Sequence, residues 1–431
     1  LDKYETPSRG AQDNRWYYLA PLLLDSGRYA GYIDTWLNSD ESLAAYEDDE
    51  KTRKQKGFLT HLNTLKSLYR ETFHGRVVGL GKKPNDLIEV LTDMAIASPA
   101  ICIYRTYKRY SKTFEYHLPS QIAKLFINRM NSPESTAIVE LAAGKKNSDA
   151  HWENLLTYCK YGNLQAMFDE YAHLITNGLD NDENLIDRLH SGIAESMNIR
   201  TTTYNVDTYN NFKSRANGKE GSAVSLRTHF AVAFTKGENK ESDADRKKVI
   251  RNAFNSPFRP FVLASTSIGQ EGLDFHNYCR RIVHWNLPSN PIDLEQREGR
   301  INRFECLAIR QNIANRYGDI KFKNDVWSEM FDEAVLKEKT ADGHTSDLIP
   351  FWGLTEREGM VKIERIVPMY PFSRDEVAYE RLIKILSLYR LTLGQARQEE
   401  LLEYIFNNCE NTEDMKDLFI NLSPYYKDLK K

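Results

Sequence analysis

The sequence predicts an α/β protein in which one parallel-sheet lobe is flanked along the chain by large α-helical regions. Three patterns predict it. Apolar residues recur at helical spacing from Asp86 to about residue 196. From residue 199 short β-branched and aromatic runs take over, with a helix between two of them. Beyond about residue 320 the helical period returns. Strands that alternate with helices imply a parallel sheet covered on both faces. The expected division is 1–85, irregular and helical; 86–184, α-helical; 185–320, the sheet-containing lobe; and 321–431, a helical C-terminal extension.

In the first segment, short apolar patches such as Leu19 to Leu24 are separated by Gly27 and Gly31, which breaks any long period. Leu87, Ile88, Val90, Leu91, Met94 and Ala95 then share a helix face, and Ser98-Pro99 opens a second helix through Ile101, Ile103 and Tyr104. Ile122, Leu125 and Phe126, then Leu155 and Leu156, then Leu164, Met167, Phe168 and Tyr171 continue the helical block.

The strand candidates are Thr201 to Val206, His229 to Phe234, Phe261 to Thr266 and Arg281 to Asn286. Between the second and third, Ser242 caps a helix with Asp245 three residues on. That helix places Val249, Ile250, Ala253 and Phe254 on one face and stops at Ser256-Pro257. Phe261 to Thr266 is apolar on both faces, as a central strand requires. Amphipathic helices over Leu382 to Leu391 and Glu399 to Phe406 close the chain.

Composition excludes several classes. Lys+Arg 58 against Asp+Glu 61 leaves a formal charge of −3, so the chain is no polycation and any nucleic-acid contact is a local patch. Cys102, Cys159, Cys279, Cys306 and Cys409 lie far apart without a C-x-x-C pair, which supports neither a disulfide framework nor a cysteine zinc site and fits a reducing, cytoplasmic setting. No uninterrupted apolar stretch approaches the ~18 residues of a membrane span, so no membrane partner is expected. None of the histidines stands in an H-x-x-x-H, H-E-x-x-H or H-x-K pattern, and no metal ligand set is assigned.

The chemistry concentrates between Phe261 and Arg303. After the apolar run the chain enters a polar loop with Gly269 and Gly272, which lets backbone approach a phosphate or sugar closely. Asp274 follows, placed to accept hydrogen bonds from hydroxyls. Asn290-Pro291 starts a helix with an Asn cap, proline in the first turn and Asp293 three residues after the cap. Gln296, Arg300 and Arg303, at i, i+4 and i+7, then share a face, and two guanidiniums one turn apart suit phosphate oxygens. Gly299 inside such a helix costs about 1 kcal/mol relative to Ala and asks for a close approach by a ligand or neighbour. An ordinary solvated helix with Glu295 and Glu298 as internal ion-pair partners is the bland alternative. Between Arg280 and Arg316 seven arginines face four acids, a local positive excess.

The order strand, T-S-x-G-x-E-G-x-D, strand, N-x-P, Q-R-x-G-R-x-x-R resembles motifs V and VI of superfamily 2 helicases and translocases, motors with two RecA-like lobes. Ser265 to Gly272 and Leu287 to Arg300 are most similar to the RapA-like bacterial branch of the Snf2-related proteins. The resemblance implies a RecA-like second lobe, the helicase C-terminal domain, in an ATP hydrolase. It makes Arg303 the arginine finger on the γ-phosphate and Arg300 its partner. Gln296, Gly272, Asp274 and Gly299 become ATP-binding positions, and Thr266, Ser267 and Gln270 nucleic-acid-binding ones. It further implies ATP and Mg2+ in the full-length protein, nucleic acid as partner with DNA favoured, and a docking N-terminal RecA-like lobe of the same protein. His229 to Phe234 is the motif IV candidate. Remodellers usually continue R-I-G-Q after motif VI, whereas this chain has Arg303-Phe304-Glu305-Cys306, which argues against remodelling proper.

The first lobe is not recognisable within residues 1 to 431, and the chain starts at Leu1 rather than methionine, so that lobe is expected upstream. Gly75 to Lys83 is one residue too long for a P-loop and has Lys83 where a magnesium-binding hydroxyl belongs. Asp169-Glu-Tyr-Ala-His173 carries one residue too many for a D-E-A-H box and reads as a helix surface. The rival functional reading is a binding module, a degenerate lobe that holds nucleic acid or protein without turning over ATP.

Overall fold

The structure, a computed structural model, describes residues 14–38, 63–72, 76, 80–115, 117–143, 150–177, 179, 184–197, 202–206, 208–218, 224–228, 248–258, 260–264, 274–338, 346–388 and 398–408. The chain divides into two compact units, Leu1–Asn198 and Ile199–Lys431.

The first unit is helical among its described residues. Its opening segment is more regular than the scattered apolar patches suggest, because Arg15–Asn38 is a single helix with Pro21 inside it. Trp16, Tyr17, Leu19 and Ala20 are buried with Tyr69, Leu80 and Leu87. Two polar handles fix that contact. The Trp16 indole donates to the Leu80 carbonyl at 3.0 Å, and the Tyr17 hydroxyl donates to Asp86 at 2.8 Å.

Helices Leu87–Ala97 and Pro99–Tyr110 meet at Ser98, whose ψ of 131° breaks the helix as expected before proline. By length and composition the two together, Leu87–Tyr110, could cross a membrane, which the sequence reading did not anticipate. In this unit the second of them packs on helices His117–Met130 and Leu164–Thr176, with Cys102, Ile103 and Tyr107 fully buried. The last helix of the unit, Leu185–Met197, also packs on these two, through buried Leu189 and Ile193, and lies outside the sheet-bearing unit it was expected to open.

Asp169 is a correction. It faces inward, where it accepts hydrogen bonds from the Thr106 hydroxyl at 2.8 Å, Gln165 Nε2 at 3.1 Å and Arg109 Nε at 3.2 Å. The residue is 3% exposed, so it is a buried helix–helix junction rather than a helix surface.

In the second unit the described sheet structure is two short pairs in place of one parallel sheet. Thr202–Val206 runs antiparallel to Val224–Thr228. The helix between them, Tyr209–Ala216, buries none of its residues and leaves Tyr209 and Phe212 exposed, so it does not lie across a sheet as a parallel crossover must. Arg281–Val283 does pair in parallel, and its partner is Glu364–Ile366, from the region expected to be helical. The apolar run at Phe261 is no central strand over its described part: residues 261–264 are irregular, with Phe261 and Val262 74% and 83% exposed. Thr266, Ser267, Gln270, Gly272, His229 to Phe234 and Ser242 lie outside the described residues, as does much of the Gly75 to Lys83 stretch.

The expected helix before Ser256-Pro257 is present over residues 248–254, with Ala253 and Phe254 buried. C-terminal to Arg303, helices Leu307–Tyr317 and Val326–Lys337 share a core of Ile309, Ile313, Trp327, Met330 and Phe331. Asp325 caps the second by accepting from the Trp327 and Ser328 amides. Glu338, just past that helix, has a side chain only 1% exposed. It accepts from Arg316 Nη1 at 2.5 Å, the Tyr317 hydroxyl at 2.7 Å and the Thr355 amide at 3.0 Å. Burial pushes its carboxyl up, but the three donors outweigh that and hold it below the usual carboxylate range.

Candidate functional site

The parallel strand pair carries the site. From Val283 the chain passes His284 and reaches Asn290, whose side chain accepts from the Ile292 amide at 2.8 Å and starts helix Pro291–Glu298. Leu294 anchors that helix with zero exposure, and helix Asp375–Leu388 packs against it.

The helix is shorter than the sequence spacing suggests. It ends at Glu298, and Gly299 is its C-cap at φ −60°, ψ −10°, not an interior residue. The next amides still bond backwards, Arg300 to the Arg297 carbonyl at 3.3 Å and Ile301 to that of Glu298 at 3.0 Å, so residues 299–302 form tight turns. Gln296 is exposed on the helix, whereas Arg300 and Arg303 lie in and just after the turns that follow it.

Asp274 and Arg303 do come together. Arg303 Nη2 lies 2.8 Å from Asp274 Oδ1, with the two side chains 38% and 46% exposed. Arg303 Nε donates to the Gly299 carbonyl at 3.0 Å. The loop before the strand is tied to the turn by its backbone as well, since the Phe275 amide donates to the Arg300 carbonyl at 2.9 Å and the Leu307 amide to that of His276 at 3.0 Å. The Asn255 amide group holds the Asp274 carbonyl at 2.6 Å. Burial lowers the His276 pKa, leaving the imidazole biased toward its neutral form beside this cluster.

Arg297 and Arg300 each have a buried Nε without a hydrogen-bond partner, but Arg297 is bonded through Nη1, whereas among the described residues none accepts from the Arg300 guanidinium. A buried unsatisfied donor costs about 1–3 kcal/mol. An oxyanion placed against it would remove that cost, so the residue fits a phosphate group.

Most of the other arginines in this stretch are neutralised. Arg280 and Arg281 both pair with Glu364, and Arg316 pairs with Glu338. Arg310 is fully buried, donating to the Glu305 carbonyl at 2.6 Å and to the Asn277 carbonyl while lying over the Tyr278 ring. Arg297 donates through Nη1 to the Asn286 carbonyl at 2.9 Å.

Arg365, and its convergence with Glu298 and His284, were missed by the sequence reading. Glu298, expected to balance arginines on its own helix, accepts two hydrogen bonds from Arg365, one through Nη2 at 2.7 Å, and lies 3.2 Å from Nε2 of buried His284. Burial alone would raise the Glu298 carboxyl, but His284 and Arg365 outweigh it and hold its pKa down to about 2. No spacing rule links residues 284, 298 and 365; only the pairing of Arg281–Val283 with Glu364–Ile366 brings them together.

Neither a curated protein nor a solved structure matches the chain. Residues 195–305 match the family profile described as the helicase conserved C-terminal domain, a segment that closes just past Arg303, and that domain is what this part of the chain is similar to.

Proposed function

We propose that this chain supplies the second lobe of an ATP-dependent nucleic-acid helicase or translocase of superfamily 2, with DNA the favoured substrate. The family match at 195–305 supports a helicase-type C-terminal lobe, and the orphaned Arg300 guanidinium carries the finer reading. ATP binds between this lobe and an N-terminal RecA-like lobe of the same protein, which contributes the P-loop and the Mg2+-binding acid. Arg300 and Arg303 stabilise charge on the transferred phosphoryl group. For Arg303 this requires exchange of Asp274 for phosphate, an easy exchange because both partners are solvated. Gln296, Gly299 and Gly272 border the nucleotide, and Thr266, Ser267 and Gln270 track the nucleic-acid backbone. Trp285, 69% exposed and packed edge-on against Tyr370 with ring centroids 5.9 Å apart, offers a surface on which bases stack.

One observation favours the rival, an ATP-independent binding module: Asp274 already neutralises Arg303 within the chain. Measurement of ATP turnover by the full-length protein decides. The motor reading expects nucleic-acid-stimulated turnover that Arg303→Ala abolishes while nucleotide affinity stays nearly intact, the signature of a contact made chiefly in the transition state. Turnover untouched by Arg303→Ala, or absent from the full-length protein, sinks it. Residues 1–431 alone are expected to hydrolyse ATP negligibly and to bind nucleic acid weakly, with affinity falling steeply as salt rises.

A further inference from the structure

We infer that Arg365, sixty residues beyond the helicase-like segment, is a positioning residue for the phosphate-binding arginines. The inference rests on the motor reading above and adds to it a part of the chain that the family match does not include.

The geometry is a chain of three rigid connections. The strand Glu364–Ile366 is locked beside Arg281–Val283 by backbone bonds at each end, the Glu364 amide to the Arg280 carbonyl and the His284 amide to the Ile366 carbonyl, both 2.9 Å. From the middle of that strand the Arg365 guanidinium reaches Glu298 with Nε on one carboxylate oxygen and Nη2 on the other. Such a two-pronged contact fixes angle as well as distance, which a lysine ammonium does not. His284, 2% exposed, closes the third side of the carboxylate.

Glu298 is the right residue to hold. It is the last residue of the helix, and its carbonyl accepts from the amides of both Ile301 and Asn302 at 3.0 Å. The turn that presents Arg300 and Arg303 is therefore built on the Glu298 backbone, and a clamp on its side chain fixes where the turn starts. A helix C-terminus capped only by Gly299 has no such constraint of its own. A displacement of about 1 Å in a catalytic group costs roughly 10²-fold in rate.

The test compares Arg365→Ala, Arg365→Lys and Glu298→Gln with wild type in the full-length protein. Glu338→Gln, which breaks a buried ion pair on the helical hairpin, serves as a control for mere destabilisation. Arg365→Ala is expected to lower kcat about 10²-fold with KM for ATP within about twofold. Arg365→Lys, which keeps the charge and the fold but loses the fork, falls between, and Glu338→Gln leaves kcat near wild type at a temperature where it remains folded. Amide hydrogen exchange of residues 299–303 should quicken at least tenfold in Arg365→Lys, with the 307–337 hairpin unchanged.

Wild-type kcat in both Arg365 variants, or an equal kcat loss in Glu338→Gln, overturns the positioning role while leaving the motor reading intact. A wild-type protein without ATP turnover overturns the motor reading instead. In that case unchanged exchange at 299–303 overturns the clamp and faster exchange upholds it.

Discussion

Arg310 and Arg300 are ten residues apart and opposite in character. Arg310 has no exposed surface, yet two carbonyls and the Tyr278 ring occupy its guanidinium. Arg300 is partly open, yet its Nε has no acceptor. In the first case the surrounding backbone has been arranged to satisfy the cation, while in the second the cation is held with its bonding capacity unspent. Unsatisfied groups are a stability cost that persists where a ligand supplies the missing partner. Arginine count alone therefore says little about binding, since the stretch from Arg280 to Arg316 is mostly consumed by Glu364, Glu338 and main-chain carbonyls.

That contrast is breakable by substitution. Arg310→Ala should be the most damaging, at about 3 kcal/mol or more, because it leaves two carbonyls without a donor in a packed interior; a loss under about 1 kcal/mol in urea unfolding would show that water enters there. Glu338→Gln should cost about 3 kcal/mol, since Arg316 then keeps its charge in a buried setting. Its depressed carboxyl also sets a sign. The contribution is complete above the ordinary carboxylate pKa and is lost as pH falls through the lowered folded value, so the variant should show a flatter acid limb in thermal melts.

Glu298 behaves in the same direction, with its loss drawn out between pH 4.5 and about 2. Glu298→Gln should flatten that acid range of the stability profile, and an unchanged slope would show that the Arg365 fork does not persist in solution. Arg303→Ala should shift stability by no more than about 0.5 kcal/mol, its ion pair being exposed. Opposite in sign to the rest, Arg300→Met should be neutral or stabilising by up to about 0.5 kcal/mol, because it removes an orphaned donor and keeps the apolar stem. A clear destabilisation would reveal an acceptor for Arg300 and remove the strongest support for a phosphate site.

The sequence made local features legible and left non-local ones hidden. The break at Ser98-Pro99 and the Asn290 cap both follow from local dihedral and capping preferences acting over a few residues. The end of the helix at Glu298 was misjudged because Arg300 and Arg303 continue the period and Gly299 keeps right-handed helical dihedrals, so only the switch of the Arg300 and Ile301 amides to carbonyls three residues back marks the end. Phe261 to Thr266 looked like a central strand from composition, but a strand needs a neighbour; residues 261–264 are irregular, and Arg281–Val283 pairs with Glu364–Ile366. Asp169 looked solvated because its partners Thr106 and Arg109 come from another helix. The Glu298–Arg365 contact was illegible for the same reason, 67 residues separating the two.

That separation has a consequence for how the protein is made. At about 5–20 residues per second, a ribosome needs roughly 3–13 s to travel from Glu298 to Arg365. Throughout that interval the nascent chain carries its arginine turn with the strand that steadies it not yet synthesised, and Arg281–Val283 presents an unpaired edge. The hairpin of Leu307–Tyr317 and Val326–Lys337 emerges within the interval and has its own core, so it can fold first and shorten the loop that the late strand must close.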